Sequence, residues 1–304
     1  MTDWGLTAAP RFLASVRSVD EAREALAAGV DVLDLKEPAR GALGAVAHDV
    51  ARAVAALIAP PFETPAARAP QGDATILQRP HPEEGPKRSA GPVSKDEVAR
   101  PLLSATIGDL PFRPEVIVPA VEAMAATGVD IVKIGIFAGE IDATLAALGP
   151  LYARDVKLVA VLFADRRPDF ALLARLAATG FLGAMLDTAD KGAGGLRRHL
   201  DDAALARFVG QAHRANLICG LAGSLALEDI APLAALGPDY LGFRGALCRA
   251  GRRGALDPAR FAAVAQALRS AASNATATAG RQRAQASRSD AGERVPQTSA
   301  PAST

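Results

Sequence analysis

The chain predicts a closed (β/α)8 barrel, and three observations carry that expectation. Eight short apolar segments alternate with alanine-rich amphipathic stretches along the 304 residues. Four joins from helix to strand repeat one pattern, in which small residues, a glycine and an apolar run follow each other: AAGVDVLD, ATGVDIVK, ATGFLGAM and ALGPDYLG. Gly29, Gly128, Gly180 and Gly237 read there as helix C-caps feeding the next strand. Finally, no G-x-G-x-x-G fingerprint follows the first strand, which argues against an open, doubly wound sheet. Strict alternation implies a parallel sheet, and eight units imply its closure.

The first strand reads RFLASV (11–16), and the helix after it (19–28) opens on a Ser18-x-x-Glu21 capping box. The second and third strands are VDVLDLK (30–36) and LLSATIG (102–108). Between them, residues 60–101 hold nine prolines, scattered charge and almost no periodicity. They read as a flexible insertion at the end of the barrel opposite its active site. The remaining strands are DIVKIGI (130–136), KLVAVLFA (157–164), GAMLDT (183–188), LICGLAGS (217–224) and YLGFRGAL (240–247), each separated by a helical pattern. From about Ser270 a polar, low-complexity tail is expected to be disordered. One barrel over 11–269, interrupted by the insertion, accounts for the rest.

Composition narrows the function classes. The net charge of +1 and the lack of a basic stripe with interleaved aromatics speak against nucleic acid. No apolar run approaches the roughly 18 residues of a membrane span, and the N-terminus lacks a signal-peptide layout. Cys219 and Cys248 fit no disulfide framework, so reduced thiols in a cytoplasmic protein are expected. The four histidines are scattered, which makes a histidine-rich metal site improbable and leaves only a carboxylate-held Mg²⁺ open. No cofactor is expected.

The lysines are more informative. Lys and Arg together number 34, yet only six are lysine. Three of those, Lys36 in VLDLKEP, Lys133 in DIVKIG and Lys191 in MLDTADKGAGG, fall in or just after strands. Arginine stays protonated, whereas lysine can lose its proton through burial or a neighbouring cation and act as nucleophile or base. Amine chemistry at the mouth of the barrel is the expectation. Residues two apart share a face of a strand, so Asp34 and Lys36 point inward together. Lys133 shares its face with Ile131 and Gly135, and the glycine is expected to leave room for a substrate. Asp187 ends the sixth strand, with Lys191 in the glycine-rich loop beyond it. Asp34 and Asp187 would neutralise and orient the amines. Arg244, expected on the eighth strand between Gly242 and Ala246, faces inward beside two glycine-rich strand ends. There Gly223, Ser224 and Gly245 suit a phosphate held on backbone N–H groups. Asp109 is a further candidate for the mouth, and Glu37 and Arg40 read as organisers of the loop after the second strand.

The segments LDLKEPARGALGA, SATIGDLPFRP, DIVKIGI, MLDTADKGAGGL, LAGSL and GFRGALC together resemble the (5-formylfuran-3-yl)methyl phosphate synthases of methanofuran biosynthesis. The matches run in order from Phe12 to about Cys248. The resemblance implies a lyase that condenses two molecules of glyceraldehyde 3-phosphate into a phosphorylated furan aldehyde. It implies a Schiff base at Lys36, a proton-accepting lysine at Lys133, and Asp187 and Lys191 in the same site. A triose phosphate is then the small-molecule partner, and a homo-oligomer is expected. Two other readings stay open. One is another phosphosugar lyase or aldolase on the same fold, since Asp34-x-Lys36 is also similar to the D-x-K strand motif of orotidine-phosphate decarboxylase-like barrels, although the second aspartate of that motif is replaced here by Ala39. A non-catalytic barrel that binds a phosphorylated metabolite is the remaining alternative.

Overall fold

The computed structural model describes residues 9–59 and 100–273, and these form the expected closed barrel of eight parallel strands in the order β1 to β8. The strands are β1 (Arg11–Val16), β2 (Val32–Leu35), β3 (Leu102–Thr106), β4 (Ile131–Gly135), β5 (Leu158–Phe163), β6 (Gly183–Asp187), β7 (Ile218–Leu221) and β8 (Tyr240–Phe243). Outside them lie α1 (Val19–Ala27), α2 (His48–Ile58), α3 (Pro114–Ala125), α4 (Ile141–Tyr152), α5 (Leu172–Thr179), α6 (Leu196–His199), α7 (Asp202–Arg214) and α8 (Leu227–Ala234). A final helix, α9, covers residues 258–273 and so takes in four residues assigned to the tail by sequence. The rest of that tail and residues 60–99 of the proline-rich insertion lie outside the described residues. Among the described residues no helix is long and apolar enough to cross a membrane.

Strand parity divides the core in two. Leu33 and Leu35, with Phe12, Ala14, Val132 and Leu186, pack outward against the helices. Leu13, Val32, Ile131, Val161, Met185 and Tyr240 fill the barrel interior. The polar residues sit on the inner set's parity, which is why they end inside the barrel rather than under a helix. All four predicted C-cap glycines have left-handed backbone, as at Gly29 (φ 73°) and Gly180 (φ 94°).

A second repeat locks the bottom of the barrel. In GVD, GVD and GPD the aspartate just before a strand accepts the backbone N–H that opens the neighbouring strand. Asp31 takes Phe12 N at 2.7 Å, Asp130 takes Leu103 N at 2.8 Å, and Asp239 takes Cys219 N at 2.6 Å. Arg100 then pairs with Asp130 and His213 Nε2 with Asp239, which brings His213 and Cys219 together without a catalytic setting. Burial pushes the Cys219 thiol up. Both cysteines are free and buried, as the reduced reading expects.

Candidate active site

The loops beyond the strand C-termini enclose a cavity of about 770 Å³ whose wall includes Asp34, Lys36, Asp187 and Lys191. That volume lies in the range of small-molecule sites. Asp187, the last residue of β6, is its electrostatic centre. Its Oδ2 lies 3.0 Å from Lys36 Nζ, its Oδ1 accepts Lys191 Nζ, and Thr188 N donates to Oδ1 at 2.7 Å. Burial alone would raise this carboxyl, but Lys36 and Lys191 outweigh it and hold Asp187 well below the usual carboxylate range. Burial, helped by the neighbouring Lys36 and Arg252 cations, brings Lys191 down to about 8 despite the pull of Asp187.

Asp34 has different company. Ser15, Asp34 and Ser104 lie in register across β1, β2 and β3, so both hydroxyls reach the carboxylate, Ser15 Oγ at 3.0 Å and Ser104 Oγ at 2.8 Å. Lys133 Nζ stands 2.9 Å from Asp34 Oδ1 as an ion pair, without the alignment of a hydrogen bond. Burial outweighs the attraction of Asp34 and lowers the Lys133 pKa from its ordinary value. Lys133 touches Asp34 but does not line the cavity. The room expected above Gly135 is also taken: a Cβ there would lie 2.4 Å from the Phe137 ring and 2.8 Å from Leu43. The glycine makes space for protein side chains rather than for substrate, because the loop after β2 folds across β4.

That loop is held by residues the sequence marked for other work. Asp109 accepts Ala42 N at 2.8 Å and Leu43 N at 2.7 Å, so it braces the loop and is spent there. Glu37 caps the turn at Ala39 N, and Arg40 donates to Ala45 O, both as loop organisers. Asp165 does for the Lys191 loop what Asp109 does here, accepting Ala189 N and Asp190 N at 2.8 Å each.

The expected phosphate role of Arg244 needs correction. β8 ends at Phe243, and Arg244 leads into a 3-10 turn. Its guanidinium makes a two-pronged ion pair with Glu21, with Nη2 3.0 Å from Oε1. It also donates to the carbonyls of Ser15 at 3.1 Å, Arg252 at 2.8 Å and Gly254 at 3.3 Å. All five N–H groups are thus committed, and none remains for a ligand. Glu21, read from sequence only as a capping-box partner, is buried and accepts Arg17 N rather than the N–H of Ser18. Arg244 lines the cavity with its donors already taken, and Gly223, Ser224 and Gly245 line it too. Ser224 adopts a left-handed φ of 51°, a conformation that costs energy for a residue with a Cβ and is commonest at functional sites.

Ser15, Ser104, Asp165 and Arg252 escaped the sequence reading. Alternation would have flagged the first two, since Ser15 and Ser104 fall on the inward parity of otherwise apolar strands. Nothing local marks the other two.

Comparison with known proteins gives the family. Residues 12–265 match the 4-HFC-P synthase family. A Methylorubrum extorquens protein named as a candidate (5-formylfuran-3-yl)methyl phosphate synthase is 40% identical over 86% of this chain and 93% of its own length. The (5-formylfuran-3-yl)methyl phosphate synthases of Methanopyrus kandleri and Methanocaldococcus jannaschii are 30% and 32% identical, over 85% and 80% of this chain and 99% and 92% of their own lengths. Among solved structures, the phosphoribosyl anthranilate isomerase of Thermus thermophilus superposes with a TM-score of 0.53 at 16% identity, over 86% of this chain and 98% of that one, a likeness of fold alone. Sequence matched along nearly the whole barrel makes this chain a member of the 4-HFC-P synthase family of enzymes.

Proposed function

We propose that this enzyme makes (5-formylfuran-3-yl)methyl phosphate by condensing two molecules of glyceraldehyde 3-phosphate through a Schiff base on Lys36, with loss of phosphate and water. The observation that carries the reading is charge. At the cavity wall two lysines share the single carboxylate of Asp187, which leaves an excess of positive charge facing a phosphorylated aldehyde. The amine of Lys36 attacks the triose carbonyl, water leaves, and the resulting iminium draws electrons from the adjacent carbon. The proton removed from that carbon goes to Asp34, which lines the cavity, and on to Lys133, whose pKa burial lowers. The enamine attacks the second aldehyde, phosphate and water are eliminated as the ring closes, and hydrolysis of the imine frees Lys36. Asp187 orients Lys36. Lys191 and the backbone N–H groups at Gly223, Ser224 and Gly245 hold phosphate.

Supplying glyceraldehyde 3-phosphate as sole substrate and following furan absorbance tests the reaction. Borohydride should trap a covalent adduct, and mass spectrometry of a digest should place it on Lys36. Lys36→Arg should keep the charge and abolish both turnover and trapping, a loss of at least about a thousandfold in kcat for a missing nucleophile. A wild-type enzyme that forms furan but traps its adduct on Lys133 or Lys191 would reverse the roles given above.

A further inference from the structure

With Arg244 committed to Glu21, the cavity wall still holds two guanidinium groups, those of the half-buried Arg252 and the exposed Arg260. We propose that Arg252 is the residue that recognises the phosphoryl group of the substrate, and that the Glu21–Arg244 pair positions it. The inference rests on the reading of this site as one for a phosphorylated aldehyde.

Arg252 lies in the loop between β8 and α9, is half-buried and lines the cavity. One of its N–H groups donates to Gly41 O at 2.7 Å, tying this loop to the one after β2. Among the described residues no carboxylate forms an ion pair with it, and no other hydrogen bond uses its donors. A guanidinium carries five N–H groups, so most remain free to meet phosphate oxygens two at a time. Asp187, Asp109, Arg253 and Arg244 act on the Arg252 guanidinium through their charges without a direct contact, and its own charge helps to lower the Lys191 pKa. Arginine in a half-buried pocket without a carboxylate is a poor structural choice, since an unpaired charge loses hydration there. An anionic ligand supplies the missing partner.

The loop is also held where such a role needs it. Arg244 Nε donates to the carbonyl of Arg252 itself, Arg244 Nη2 donates to Gly254 O, and Arg17 Nη1 donates to Arg253 O at 3.2 Å. Arg244 and Arg17 both pair with Glu21, so one buried carboxylate on α1 anchors the backbone at Arg252 and at the two residues after it. A clamp of this kind removes the entropy cost of ordering the loop when the ligand arrives.

Calorimetric titration tests the assignment. The probes are glycerol 3-phosphate, which carries the phosphate ester but no carbonyl, and inorganic phosphate. Arg252→Ala should weaken both about tenfold or more, the loss expected for one charge-assisted contact. Arg252→Lys should fall between Arg252→Ala and wild type. Arg253→Ala, which removes the same charge from the same loop outside the cavity, should bind like wild type, and melting curves should show all three variants folded. Wild-type affinity for glycerol 3-phosphate in Arg252→Ala would overturn the proposal while leaving the reaction untouched. Failure of the wild-type enzyme itself to bind either probe would instead remove the phosphorylated-substrate reading, and this inference with it.

Discussion

Asp34 and Asp187 are both inward-facing aspartates within 3.0 Å of a lysine, yet they build opposite environments. Asp187 stands at the cavity with two ammonium partners, one of them brought down to about 8. Asp34 reaches the cavity too, but its lysine lies behind it, shut off from solvent, and two serine hydroxyls complete its shell. The difference teaches that an Asp–Lys pair takes its chemistry from what surrounds it. Where cations exceed carboxylates and water can enter, the pair attracts anions and presents an amine. In a dry place with charges matched, burial lowers the pKa of the amine despite its carboxylate partner.

The largest effect expected from this contrast is on stability. Lys133→Met leaves Asp34 buried with hydroxyl donors only, and breaking such a pair costs about 3–5 kcal/mol. Lys191→Met leaves Asp187 its contacts with Lys36 and Thr188 and costs about 1 kcal/mol or less, as for a partly exposed pair. Urea unfolding of the two variants measures the gap, and equal losses would erase the distinction between the two aspartates.

A smaller effect is expected in the pH profile. Lys191 is an ammonium below about pH 8 and an amine above it. Loss of that charge should lower kcat/KM for phosphorylated substrate about tenfold per unit on the alkaline side. Stability moves the other way: the folded pKa lies below the unfolded one, so the cost of burying the charge is present below about 8 and relieved as pH rises towards 10.5. Lys191→Arg keeps the charge and should remove the alkaline limb. An unchanged limb would give the titration to another group.

The smallest effect lies away from both aspartates. α2 ends at Ile58 and β3 starts at Leu102, so the two described ends that flank the proline-rich segment are a helix C-terminus and a strand N-terminus, both on the face opposite the cavity. Replacing residues 61–99 by a short Gly/Ser linker, with Arg100 kept for its pair with Asp130, should leave kcat/KM within a few-fold and Tm nearly unchanged. A large loss of activity would show that the segment takes part in the site.

Much of this was legible in the sequence because it depends on short-range rules. Period-two alternation placed Asp34, Lys36 and Lys133 inside the barrel, and the scarcity of lysine singled out Lys36, Lys133 and Lys191 against a background of arginine. The repeated glycines marked where helices end, since a left-handed residue at each join favours a side chain without Cβ.

Pairing across the barrel was decided only by the tertiary structure. Lys36 meets Asp187 from a position 151 residues away, and Arg244 meets Glu21 from 223 residues away. The local pattern around Arg244, small residues on an inward parity, was right as far as it went. It carried no trace of the buried carboxylate on α1 that claims the guanidinium, nor of Arg252 in the next loop. The same holds for Gly135, whose open space was visible in sequence while the Phe137 and Leu43 side chains that fill it were not. Which face a residue takes follows from the geometry of its own strand. What it touches there follows from strand register and loop packing set by the whole chain, and a charged group takes its protonation and its role from that company.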